Sequence, residues 1–78
     1  MSELLESEYY PILITAIRRG VALPFACYLL LRANKRIVKY VGAGEVFPQE
    51  KYERLWNHQV RKLHIHVRDM GAYEAYMK

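Results

Sequence analysis

The stretch Phe25 to Val41, FACYLLLRANKRIVKYV, constrains this chain more than any other. Two runs rich in β-branched and aromatic side chains flank a polar break at Ala33-Asn34-Lys35. Such runs favour strands, and Asn tolerates the backbone of a tight reversal, so the stretch predicts a β-hairpin. In the first arm a period of two puts Phe25, Cys27, Leu29 and Leu31 on one face, and Ala26, Tyr28 and Leu30 on the other. Both faces are apolar, which predicts a central strand covered on both sides. In the second arm Ile37, Lys39 and Val41 alternate with Val38 and Tyr40. A lysine on one face predicts that this arm is less covered.

The remaining segments read as packing for that hairpin. Residues 1–8 are polar and are expected to fray. Tyr9 to Thr15, YYPILIT, reads as a first strand, and Pro11 makes it an edge strand or falls before its paired part. Ala16 to Gly20 is long enough for one helical turn, ended by a glycine that takes the left-handed conformation. Gly42-Ala43-Gly44 breaks the hairpin's second arm. Pro48 suits the first turn of a helix, expected from Pro48 to Gln59, with Phe47 as a weak cap. Tyr52, Leu55, Trp56 and Gln59 follow a helical period and predict one apolar stripe facing the hairpin. Arg61 to Arg68, RKLHIHVR, alternates cleanly: Leu63, Ile65 and Val67 one way, Lys62, His64, His66 and Arg68 the other. That is the signature of a strand half buried and half wet. Asp69 is a suitable N-cap for a last short helix with Met70, Tyr73 and Met77 on one side.

Size limits what these elements can make. A chain of 78 residues is one domain, read as residues 1–78 and equally suited to be the N-terminal domain of a longer protein. It buries only about 60% of the surface its unfolded form exposes, so its core is thin. A hydrophobic content of 53% argues against disorder and leaves apolar surface for a partner or a second copy to cover. The net charge of +4 is modest, but it is unevenly placed: from Arg18 to Lys39 there are six bases and no acid. The longest near-apolar run, Val21 to Leu31, holds eleven residues and a proline, against the roughly 20 a membrane helix needs. An acidic N-terminus is unlike a secretion signal, and the lone Cys27 suits a reducing compartment. The expected localisation is cytoplasmic, with no membrane partner.

No catalytic constellation stands out. Cys27, in an apolar strand, reads as a packed thiol rather than a nucleophile, which needs an exposed electropositive setting. Gly42-Ala43-Gly44 lacks the third glycine and the Lys-Ser/Thr of a phosphate loop, and Glu45 would repel an anion there. His58, His64 and His66 lack the spacing and partners of a metal set, so no metal and no cofactor is expected. The remaining signal is basic and aromatic. Arg32, Lys35, Arg36 and Lys39 crowd the hairpin, while Lys62, His64, His66 and Arg68 line one strand face. Sharing a sheet surface with Tyr28 or Tyr40, they would form a platform of the kind that accepts single-stranded nucleic acid. The candidate binding residues are therefore Tyr28, Arg36, Lys39, His64, His66 and Arg68. A solvated sheet face is the plainer reading of the same residues. Seven tyrosines fit an interface equally well, since the ring is buried there while the hydroxyl stays wet.

Several short motifs together resemble a small module of multidomain bacterial signalling proteins, found beside HD-type phosphohydrolase or PilZ-type regions. They are Tyr10-Pro11-Ile12, Pro24-Phe25 with Tyr28, Asn34-Lys35 with Val38 and Lys39, and Ala43-Gly44-Glu45 with Phe47. Val60 with Leu63 and Ile65, then Tyr73 with Tyr76, complete the pattern. The chain departs from it at Ala26, where the module carries Asp, and at Asp69-Met70-Gly71. The resemblance implies a regulatory module attached to a separate output domain, in cyclic di-GMP signalling, with no catalytic residue.

The expected fold is α+β: a small, mostly antiparallel sheet built on the hairpin, one main helix on one face, and a short C-terminal helix. The expected function is a non-enzymatic regulatory or protein-interaction module that self-associates or binds another signalling protein. The alternative is nucleic-acid or cyclic-nucleotide binding through the basic, aromatic sheet face.

Overall fold

The computed structural model describes residues 8–31 and 36–78. The expected reversal at Ala33-Asn34-Lys35, and most of the expected frayed N-terminus, lie outside the described residues. Four strands form one antiparallel sheet: β1 (Tyr9–Leu13), β2 (Cys27–Leu31), β3 (Arg36–Val41) and β4 (Lys62–His66), in the order β1-β4-β2-β3. Helix α1 (Gln49–Asn57) lies between β3 and β4 in sequence, and helix α2 (Met70–Met77) ends the chain. The class is α+β. Among the described residues no helix is long and apolar enough to cross a membrane.

Pro11 sits in an edge strand, where its missing N–H breaks no ladder bond. The hairpin arms β2 and β3 pair as expected, and β4 inserts between β1 and β2. Strand β1 gives way at Ile14–Ala16 to a 3₁₀ turn, two residues earlier than the turn expected from Ala16, and the Ile14 N–H donates to the Arg61 carbonyl at 2.9 Å. Gly20 takes φ +85°, the left-handed turn anticipated for it.

The core lies on one side of the sheet. Ile12, Leu63, Ile65 and Cys27 project from the strands into it. Phe25, Leu23, Ile14 and Ile17 fill it from the segment joining β1 to β2, and Phe47 and Leu55 close it from the α1 region. Helix α2 packs on the same side: the rings of Tyr73 and Tyr76 meet Phe25 edge-on at 5.7 and 5.3 Å. Both helices thus cover the same sheet face.

Several local expectations need correction. Strand β2 is central but covered on one side only, because no described helix packs against its Tyr28 and Leu30 face. The simple alternation of β3 breaks at a bulge: Cys27 faces Val41 and Tyr28 faces Lys39, leaving Tyr40 as the extra residue. Val41 therefore joins the core while Lys39 points the other way. On α1 only Leu55 is buried, with Tyr52 half-buried beside it. Trp56 is 45% exposed and does not pack against the core; the Arg61 guanidinium stacks 3.6 Å from its ring centre and covers part of it. Pro48 is the cap residue itself, so the helix starts at Gln49 without a side-chain acceptor. Its other end is a Schellman turn: Val60 N–H donates to Leu55 O at 2.9 Å and Gln59 N–H to Trp56 O at 3.0 Å. Gln59 holds the left-handed position of that turn, at φ 62°.

At the C-terminal end, β4 stops at His66 and Val67 is exposed in a 3₁₀ turn rather than in the core. Asp69 makes no side-chain cap; instead His66 Nδ1 accepts from the Arg68 N–H at 3.1 Å. The packing side of α2 is Met70, Ala72, Tyr73 and Tyr76, and Met77 is exposed.

Candidate functional site

Strand pairing fixes which side chains share the uncovered face. Antiparallel partners project to the same side of a sheet. The registers Tyr9↔His66, Pro11↔His64 and Leu13↔Lys62 place β1 and β4 residues together. Tyr28↔His64 carries the face across to β2, and Tyr28↔Lys39 and Leu30↔Ile37 carry it to β3. The face therefore comprises Tyr9, Pro11, Leu13, Tyr28, Leu30 and Ile37, with Lys39, Lys62, His64 and His66 among them. No strand of the sheet contains an acid.

An aromatic cluster marks its centre. The Tyr9 ring meets Tyr28 and His66 edge-on, each at 5.2 Å between centres. Such T-shaped contacts add to area burial and hold the rings in place. Because His66 Nδ1 accepts the Arg68 N–H, the neutral ring carries its proton on Nε2. Leu13, at the end of β1, is 53% exposed.

Of the six residues singled out from sequence, the structure brings four together: Tyr28, Lys39, His64 and His66. Arg36 does not join them. It pairs with Leu31, on the core-side parity of β2, and is exposed at the sheet's edge. Arg68 lies beyond β4 in the 3₁₀ turn. Arg32 and Lys35, also in the expected basic cluster, lie outside the described residues. Sequence reasoning missed Tyr9, although its alternation with Pro11 and Leu13 was the available signal.

Three other aromatic rings, packed against the core, are held by cations. Arg18 stacks on Tyr76, Arg19 on Tyr52 and Lys51 on Tyr40, at 5.2, 4.3 and 4.8 Å from the ring centres. Lys51 Nζ also donates to the Tyr40 carbonyl at 2.7 Å, and the Arg18 N–H to the Tyr76 hydroxyl. These rings and cations stabilise the fold together.

The sites of conventional chemistry resolve plainly. Cys27 is fully buried and desolvation pushes its thiol up to about 12, so the nucleophilic thiolate is suppressed. In the glycine turn, Glu45 Oε1 accepts the Gly42 N–H at 2.9 Å and the Gly44 N–H donates to Leu23 O at 2.7 Å. Those amides are already bonded within the chain, and a carboxylate sits where an anion would have to enter. Among the described residues no group of three or more His, Cys, Asp and Glu is placed to hold a metal ion. No protein-family model, curated protein or solved structure matches the chain.

Proposed function

We propose that the chain is a non-enzymatic regulatory or interaction module of a cytoplasmic bacterial signalling protein, and that it self-associates through the uncovered sheet face. One observation carries this reading: both helices pack on one side, leaving the other with Tyr9, Tyr28, Leu13, Leu30 and Ile37 and no acid. Aromatic and aliphatic side chains left partly open to water on a small domain favour docking, since exposure of that area costs free energy that a partner relieves. A two-fold dimer would place the same face against itself and cover Leu13 and the tyrosine pair twice over. The signalling setting comes from the motif resemblance alone.

Charge supplies the test. Lys39 and Lys62 stand toward opposite ends of the face, so two copies bring like charges together. Salt screens that repulsion, the Debye length falling from about 10 Å at 0.1 M to about 3 Å at 1 M. Sedimentation equilibrium over a concentration series should show mass rising from one copy to two, more readily in high salt. Leu13→Glu should hold the chain monomeric. A single-copy mass at the highest concentration, in both salts, would overturn the reading.

A second reading has its own support. The register sets Tyr28 between Lys39 and His64, an aromatic ring flanked by basic groups, which suits a stacked base with its phosphate. Single-stranded oligonucleotide binding that weakens steeply with salt would favour it, the opposite sign to self-association. Affinity indifferent to salt would remove it.

A further inference from the structure

The sheet is not closed along its whole length. Strands β2 and β4 are in register at Tyr28↔His64. Beyond that pair, Leu29 and Leu30 face the α1–β4 connection across a cleft of about 710 Å³. One wall is apolar, made by Leu29, Leu30, Val60 and Pro11. The polar lining is His58, Gln59, Arg61, Lys62 and His64, with no carboxylate among it. Ligand cavities run from about 300 to 1,000 Å³ and combine an apolar wall with a few polar groups, so both size and lining suit a small molecule.

A second feature points the same way. Gln59 occupies the left-handed position of the Schellman turn, at φ 62°, where glycine is the residue usually found. A side chain there strains the backbone, and here the strained residue lines the cleft. Strained backbone of this kind clusters at ligand sites.

We infer that the cleft between β2 and the α1–β4 connection binds a small organic phosphate bearing a flat ring, of nucleotide size. Arg61 and Lys62 would hold the phosphate through charge-assisted hydrogen bonds, which favour a doubly charged anion over a carboxylate. The Arg61 guanidinium is held at the cleft's margin, where Nη1 donates to the Trp56 carbonyl at 3.0 Å and the group stacks on the indole. The ring would lie on the Leu30 and Val60 wall, with the Gln59 amide at its edge. The inference does not depend on self-association, because a monomer carries the whole cleft.

Calorimetric titration of the full chain with AMP, adenosine and inorganic phosphate tests it. AMP should bind, and each half-molecule at least tenfold more weakly. Lys62→Ala should weaken AMP about tenfold, while Lys78→Ala, exposed at the end of α2 outside the cleft, should leave it unchanged. Gln59→Gly separates ligand binding from folding: it should raise the urea midpoint and weaken AMP several-fold. Absence of AMP binding at millimolar concentration would overturn the inference. So would adenosine or phosphate binding as well as AMP, Lys78→Ala weakening AMP as much as Lys62→Ala, or Gln59→Gly raising stability with affinity intact. The sedimentation series reads self-association separately, so either proposal can fail alone.

Discussion

The two faces of the sheet are made by the same strands and differ in what covers them. On β4, Leu63 and Ile65 are fully buried while His64 and His66, one residue away, sit on the side that no described helix covers. On β1, Ile12 is buried and its neighbour Leu13 is 53% exposed. Leucine thus appears on both faces, so residue type does not say which face is covered. The helices decide: Phe25 meets α2, Leu55 comes from α1, and the hydrophobic side chains opposite have no such neighbour. The covered face carries stability, and the open face is the one proposed for recognition.

That contrast breaks most visibly in the core. Phe25→Ala removes a ring packed between Tyr73 and Tyr76, and a large aromatic truncation of this kind costs about 3–5 kcal/mol. In so small a domain that is enough to abolish cooperative unfolding followed by circular dichroism. Retention of a sharp transition near the wild-type midpoint would show that the core is elsewhere.

Cys27 gives a smaller effect with a pH signature. Cys27→Ser buries a hydroxyl where a thiol lay and should cost about 1–3 kcal/mol. For the native thiol the folded pKa is raised from 9.0 to about 12, so the protonated form is favoured in the fold. Its contribution is fully present below pH 9.0 and is lost as pH rises toward 12. Alkylation of the thiol at pH 8 should therefore track unfolding by urea. Rapid modification of the folded protein would contradict its burial.

Arg61→Ala should cost about 0.5–2 kcal/mol, since it removes the stacking on Trp56 and a hydrogen bond to its carbonyl. The indole emission should shift to the red as water reaches the ring. An unchanged spectrum would mean that the guanidinium does not rest there. Gln59→Gly, by contrast, should stabilise the chain by up to about 1 kcal/mol, the left-handed strain relieved less the added freedom of the unfolded chain. Leu13→Glu belongs to the open face and should change stability by no more than about 0.5 kcal/mol. A loss as large as that of Phe25→Ala would erase the distinction between the faces.

Much of this fold was legible because its signals are local. The alternation of RKLHIHVR, the proline in β1, the hairpin arms and the helix after Pro48 each follow from a few adjacent residues. What could not be read depends on contacts between distant segments. Nothing in β4 says that it inserts between β1 and β2, and the Tyr40 bulge exists only relative to Cys27 and Tyr28. Trp56 looked like core, but its ring lies outside it, partly covered by Arg61 five residues on. Of the site, Tyr28, Lys39, His64 and His66 followed from strand parity once the pairing was known. Arg36 could have been excluded from sequence, since an odd separation from Lys39 puts the two on opposite faces of a regular strand. Arg68 was lost because β4 ends two residues before it, where His66 turns its ring nitrogen to the backbone.

The central claim is that the open face, and not the helical side, is where a second copy docks. Hydroxyl-radical footprinting of dilute and concentrated protein addresses it residue by residue. Labelling of Leu13, Tyr9 and His66 should fall as concentration rises, while Trp56, exposed on α1, keeps its rate. Concentration-independent labelling of those three, or protection of Trp56 in their place, would contradict it.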